Sequence, residues 1–148
     1  MPDLTELYQE VILDHNRSPR NFGKLNFFNH KSLGHNPLCG DKIKLYLQIE
    51  AAKIVDIGFQ GAGCAISQAS ASIMTEILKG MSLKEFETLF GHFHSLVTGQ
   101  SVEIVQEDLG KLVVFSGVSK YPLRVKCATL PWHTLKAALK QDKETTTE

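Results

Sequence analysis

The side chains best equipped for chemistry in this chain are three cysteines, Cys39, Cys64 and Cys127. An odd number at long separations makes a poor disulfide framework. Asp41, two residues after Cys39, completes a set of three sulfurs and one carboxylate oxygen, the donor number of a four-coordinate metal site. Gly40 between them permits the sharp turn that aims both side chains at one point. Cys64 follows Gly61-Ala62-Gly63 and opens a helix of small residues, where free amides and the helix dipole favour a thiolate. Cys127 precedes an expected helix start and has Arg124 and Lys126 beside it, which favour the same ionised form. Three thiolates and a carboxylate suit Zn(II), and thiolates equally support iron–sulfur clusters; residue chemistry does not choose between them. The plain alternative is that each cysteine is a small core hydrophobe. The spacings match no short zinc motif, but all three cysteines sit beside Gly, Pro or charged residues rather than within apolar stripes.

Other candidates are weaker. His15 belongs to an apolar helix face, and His92 and His94 lie two apart on a helix, facing different directions. His35 is close enough in sequence to the Cys39 turn to be a neighbour of the site. Gly61-Ala62-Gly63 is part of a phosphate-loop pattern, but the loop lysine and the full dinucleotide fingerprint are absent. Trp132 reads as packing.

These residues need elements to hold them. Leu4, Leu7, Tyr8, Val11, Ile12 and His15 follow the spacing of a buried helical face over Leu4 to Asn16, with Asp3 and Glu6 as an acidic capping box. Ile43, Leu45, Leu47 and Ile49 alternate with polar residues, a half-buried antiparallel strand. Val55, Ile57 and Phe59 form a second strand after a turn near Ala52 and Lys53, and Leu33 belongs to a third, before the Cys39 turn. Pairing of the first two brings the Cys39 and Cys64 loops to one edge of a sheet. A helix follows from Cys64 to Lys79, its small residues allowing close approach to the sheet. Ser82 and Glu85 cap the next helix, with Leu83, Phe86, Leu89, Phe90, Phe93 and Val97 on its apolar face. Residues 99–120 are harder to read, although Leu112 to Phe115 is a short buried segment. The last helix is expected from Thr129 to Lys140, with Pro131 in its first turn, followed by a frayed polar tail over 141–148.

The 148 residues, 43% hydrophobic, are enough for a core without a metal. Sixteen basic residues balance sixteen acidic ones, with no long basic run, which argues against nucleic acid as a ligand. No apolar stretch reaches the ~18 residues of a membrane span. Unpaired cysteines and an N-terminus unlike a signal peptide lead to a cytoplasmic expectation.

Leu7 to His15 with Pro19-Arg20-Asn21, then Asn36-Pro37-Leu38-Cys39-Gly40-Asp41, then Phe59-Gln60-Gly61-Ala62-Gly63-Cys64, resemble motifs of the IscU/SufU/NifU family of iron–sulfur assembly proteins. The resemblance spans roughly residues 4–140 and implies an α+β fold: one domain over 1–140 with a small antiparallel sheet covered by helices. Lys126 stands where IscU-type scaffolds carry a histidine, and the long Cys64–Cys127 segment, ending in Arg124-Val125-Lys126-Cys127, resembles the SufU branch. Pro131-Trp132-His133 departs from relatives that carry alanine and lysine around the tryptophan, and is expected to alter the helix entry beside Cys127. The branch implies zinc held by Cys39, Asp41, Cys64 and Cys127. It also implies Cys39 as acceptor of persulfide sulfur from a SufS-type cysteine desulfurase, Arg124 as an assisting charge, and downstream iron–sulfur scaffold or acceptor proteins as recipients. A rival from another class is a non-enzymatic scaffold carrying a transient 2Fe–2S cluster on the same residues. A third is a structural zinc adaptor.

Overall fold

The alternating residues of the middle of the chain build the sheet that carries everything else. In the computed structural model, which describes residues 4–100 and 109–146, β1 (His30–Asn36), β2 (Asp41–Glu50) and β3 (Lys53–Ala62) form an antiparallel meander. Ile43, Leu45 and Leu47 turn inward from β2 and are essentially inaccessible to solvent, as their period of two requires. Ala51 and Ala52 both adopt positive φ, closing β2 and β3 with a tight hairpin turn.

Val55 departs from the alternation. Gln48 pairs with Asp56 but Ile49 pairs with Ile54, so Val55 is an extra residue opposite its partner strand. This bulge reverses the pleat: Ile54 enters the core with Ile57 and Phe59, and Val55 is exposed.

The tail also differs from expectation. Residues Glu144–Thr146 form β4, which pairs parallel with β1 through Leu33↔Glu144 and His35↔Thr146. The sheet order is β3-β2-β1-β4, mixed only at this short edge. Its polar side chains gave no sign of pairing because the contacts are made by backbone.

Helices cover the inner face. α1 (Leu4–Arg17) buries His15 and half-buries Tyr8, Val11 and Ile12, but leaves Leu7 exposed. Its expected cap at Asp3 lies outside the described residues. α2 (Ala65–Leu78) is buried almost all round, from Ser67 to Met74, because its serines and alanines let neighbours close in. α3 (Leu83–Thr98) has the expected Ser82–Glu85 capping box, with Phe86, Leu89, Phe90, Phe93 and Val97 buried. A run of 3-10 turns over Gly110–Lys120 buries Leu112, Val114, Phe115 and Val118; the residues 101–108 before it lie outside the described part.

α4 (Pro122–Leu139) corrects the expected Thr129 start. Pro122 at its first position supplies a fixed φ and lacks a donor the helix would not use there. Pro131 is therefore in the helix interior, where it removes the N–H that would bond the Cys127 carbonyl four residues back. Next to that gap the Ser70 hydroxyl of α2 donates to the Ala128 carbonyl and accepts from Trp132 Nε1 at 3.2 Å. Trp132 is fully buried and stacks on Phe93, 4.8 Å between ring centres, confirming its reading as packing.

Candidate metal centre

The centre is assembled at the sheet end where β1, β2 and β3 all deliver chain toward α2 and α4. Asn36 closes β1 opposite Asp41, the first residue of β2. Between them the Cys39 amide donates to the Asn36 carbonyl at 3.2 Å, and Gly40 takes a φ of 70° that few other residues adopt, so the turn presents Cys39 beside Asp41. On the neighbouring strand Lys42 pairs with Ala62, which brings Gly63 and Cys64 against Asp41. The hairpin geometry expected from the sequence thus holds: two loops 25 residues apart meet at one edge.

Asp41 is 1% exposed and fixed by its neighbours. Its Oδ1 accepts the Cys64 backbone N–H at 2.8 Å, and its Oδ2 lies 3.8 Å from the Cys64 sulfur. A Cβ at Gly63 would overlap the Asp41 carboxylate, so the Gly-rich stretch cradles a protein carboxylate rather than a phosphate. Cys64 is the N-cap of α2, its sulfur accepting the Ser67 N–H at 3.4 Å.

The third element is α4. Cys127, 2% exposed, points its sulfur at Cys39, 3.3 Å away, and receives Asn36 Nδ2 at 3.5 Å. One ligand atom each from Cys39, Asp41 and Cys127 lies within 4.8 Å of the others. Cys64 stands just outside this trio, beside Asp41 and within hydrogen-bonding reach of Cys127.

The sulfurs differ electrostatically. Cys64 is pulled down to about 7, first by a hydrogen bond from the Cys127 thiol and, against burial, by the Ser67 amide. Cys127 is pushed strongly upward by its hydrogen bonds to Cys64, Asp41 and Cys39 and by burial. The expected ionisation of Cys127 at a helix start is thus corrected: it lies inside α4, away from free amides, and without a metal it keeps the proton it shares with its neighbours.

Other candidates fall elsewhere. His35 projects from β1 on the opposite side from Asn36, as alternation dictates, and His92 and His94 are on α3. Arg124 is exposed one turn before Cys127, its guanidinium 4.4 Å from the Tyr121 ring centre. In the sequence Asn36 stands only as the first residue of the Cys39 motif, with no role of its own; its contact with Cys127 depends on α4 folding over the end of β1.

The donor set fits a thiophilic four-coordinate ion. Two sulfurs on one tetrahedral zinc sit about 3.8 Å apart, given a Zn–S bond of about 2.3 Å. The Cys39–Cys127 pair at 3.3 Å needs to open only slightly.

Residues 7–145 match the family described as the NifU-like N terminal domain. The chain belongs to that family. Among curated members, the iron–sulfur cluster assembly scaffold protein IscU of Streptococcus pyogenes serotype M1 is 41% identical, over 93% of this chain and 86% of the relative. The zinc-dependent sulfurtransferase SufU of Bacillus subtilis is 38% identical, over 95% of this chain and 94% of the relative. A solved structure from Fervidobacterium islandicum AW-1, described as an iron–sulfur cluster assembly scaffold for the SUF system, superposes with a TM-score of 0.83 at 37% identity. It covers 90% of this chain and 97% of its own. The α+β fold expected from the motifs is therefore the family fold. No described helix is long and apolar enough to cross a membrane.

Proposed function

We propose that this NifU-like domain is a zinc-dependent sulfur-transfer protein that accepts persulfide sulfur from a SufS-type cysteine desulfurase and passes it into iron–sulfur cluster assembly in the cytoplasm. The observation that carries the reading is the 3.3 Å contact between half-exposed Cys39 and buried Cys127, with Asp41 and Cys64 beside them. Cys39, Asp41, Cys64 and Cys127 would hold zinc, which when bound keeps thiolates deprotonated without redox chemistry of its own.

Cys39 sits on a turn where an incoming persulfide can reach it. Its thiolate attacks the terminal sulfur of the partner's Cys–S–SH; a new S–S bond forms on Cys39, the partner's S–S bond breaks, and the partner leaves as thiolate. The persulfide proton stays on the transferred sulfur. Cys127, almost fully buried, and Cys64, the N-cap of α2, each accept an N–H and remain as holding ligands. Arg124, exposed on the same helix as Cys127, would steer or stabilise the Cys39 thiolate that attacks.

The second reading is a scaffold on which a 2Fe–2S cluster is built, the role in the name of the Streptococcus pyogenes relative. Lys126 in place of a histidine next to Cys127 favours sulfur transfer, because it removes a neutral ring-nitrogen ligand from the site's edge. Purification without added metal, followed by metal analysis and a desulfurase assay, separates the two. Sulfur transfer predicts near-stoichiometric zinc and faster desulfurase turnover, lost in Cys39→Ala. A stable brown protein with no effect on the desulfurase would overturn it in favour of the scaffold. Stimulation that survives Cys39→Ala would exclude Cys39 as the acceptor.

A further inference from the structure

The three sulfurs are not equally supplied with hydrogen bonds. Cys64 Sγ accepts the Ser67 amide at 3.4 Å. Cys127 Sγ accepts the side-chain amide of Asn36 at 3.5 Å, a contact between residues 91 apart in sequence. Cys39 Sγ is met by the Cys127 sulfur and, among the described residues, by no N–H.

Asn36 is an unusual donor. It is 1% exposed, and its Oδ1 is buried with no partner. A buried amide that leaves its carbonyl unsatisfied calls for an explanation. The chemistry of the facing sulfur supplies one: a metal-bound thiolate only accepts, so the amide must turn its N–H end toward Cys127. The same residue fixes Cys39 from the other side, since its backbone carbonyl accepts the Cys39 amide at 3.2 Å. One residue therefore bonds the backbone of Cys39 and the sulfur of Cys127.

We propose that Asn36 is a positioning residue that marks Cys127 as a holding ligand, and that the lack, among the described residues, of an N–H donor at Cys39 Sγ leaves Cys39 the most nucleophilic of the three sulfurs. An N–H···S bond draws electron density from the sulfur and locks its direction, as outer-shell partners do at metal sites generally. Cys64 and Cys127 carry such a bond and Cys39 does not, so the hydrogen-bond pattern selects which thiolate is free to attack. The inference rests on the zinc-thiolate reading above and adds what makes its ligands unequal.

The test compares the zinc-loaded wild type with Asn36→Leu, nearly isosteric but without the amide. Asn36→Ser, too short to reach Cys127, serves if the leucine variant does not fold. Three readouts separate positioning from a merely structural role. Competition with a chromophoric chelator should show zinc affinity reduced by about tenfold or more. In the cobalt(II)-loaded protein, the thiolate-to-metal charge-transfer band should move to longer wavelength. Limiting iodoacetamide, mapped by peptide mass, should label Cys39 alone in the wild type and both Cys39 and Cys127 in the variants. Unchanged affinity, an unmoved band and label confined to Cys39 in the variants would overturn the inference while leaving sulfur transfer intact. A wild-type protein that binds neither zinc nor cobalt would overturn both.

Discussion

Asp41 is held by backbone rather than by a charge partner: the Cys64 N–H fixes one oxygen and the missing Cβ of Gly63 leaves room for the carboxylate. A burial of this depth is tolerable for an anion only with compensation, and a bound cation beside it is the strongest form of compensation. Two substitutions probe this from opposite sides. Asp41→Ala removes the oxygen ligand, and zinc affinity measured by chelator competition should fall by more than about tenfold, the scale of loss seen even for outer-shell changes. Gly63→Ala keeps all four proposed ligands but pushes the carboxylate out of its cradle, so it should lower zinc affinity in the same direction. If Gly63→Ala leaves zinc binding unchanged, the cradle has no part in holding the metal; if Asp41→Ala does so, the fourth ligand is not the carboxylate.

At the scale of elements, α1 is joined to the rest by a buried histidine. His15 Nδ1 lies 2.7 Å from the Ser72 hydroxyl of α2, and its Nε2 lies 3.4 Å from both Glu76 and Lys111. Its pKa is lowered from 6.5, first by burial and then by Arg20 and Lys111, with Glu76 and Asp14 opposing. The unfolded chain thus takes up this proton at a higher pH than the folded one. The stabilisation is complete above the unfolded value of 6.5 and is lost as pH falls from there toward the folded value. His133, on α4, is lowered by burial and by His94 and Lys136, and acts in the same sense. Melting temperature should therefore decline as pH falls below about 6.5, and His15→Gln, which can still bond Ser72, should flatten the decline. Parallel curves for wild type and variant would remove His15 from the account. The same elements show what the sequence could disclose. β2 and β3 were legible because one face of their hairpin is buried and the other is not, and α3 because its cap and its apolar stripe agree. The start of α4 is hidden because Pro122 to Arg124 are exposed and Val125 and Lys126 only half-buried, with no apolar stripe, so the pattern points to a start at Thr129, in the buried part of the helix. The bulge at Val55 and the pairing of Glu144–Thr146 depend on backbone register, which side-chain pattern does not encode. Cys39, Asp41 and Cys64 could be brought together from the hairpins alone; Cys127 meets them, and Asn36 meets Cys127, only because α4 packs against the end of β1.

Across the whole molecule, the centre joins three segments distant in sequence: the β1–β2 turn, the first residue before α2, and the interior of α4. A metal bound there links the sheet to two helices at once, so its removal should be felt beyond the site. The core does not depend on it, however. Leu45, Leu47, Phe59, Ile73, Phe86, Phe93, Phe115 and Trp132 are all fully buried in one apolar cluster that spans the sheet and the helices. Removal of zinc is therefore expected to shift a cooperative transition rather than abolish folding. A ligand present at a thousand times its dissociation constant stabilises the state it binds by about 4 kcal/mol. For a chain of this size each kcal/mol moves the midpoint by about 3 °C, so stripping the metal should lower it by on the order of 10 °C. Calorimetry of loaded and chelator-treated protein measures the shift, with far-ultraviolet circular dichroism showing that secondary structure is retained below the lower midpoint. Cys39→Ala, which keeps Asp41, Cys64 and Cys127, should fall between the two. Coincident transitions for loaded and stripped protein would mean that zinc does not bind the folded state preferentially, and the four-ligand centre would fail with that result.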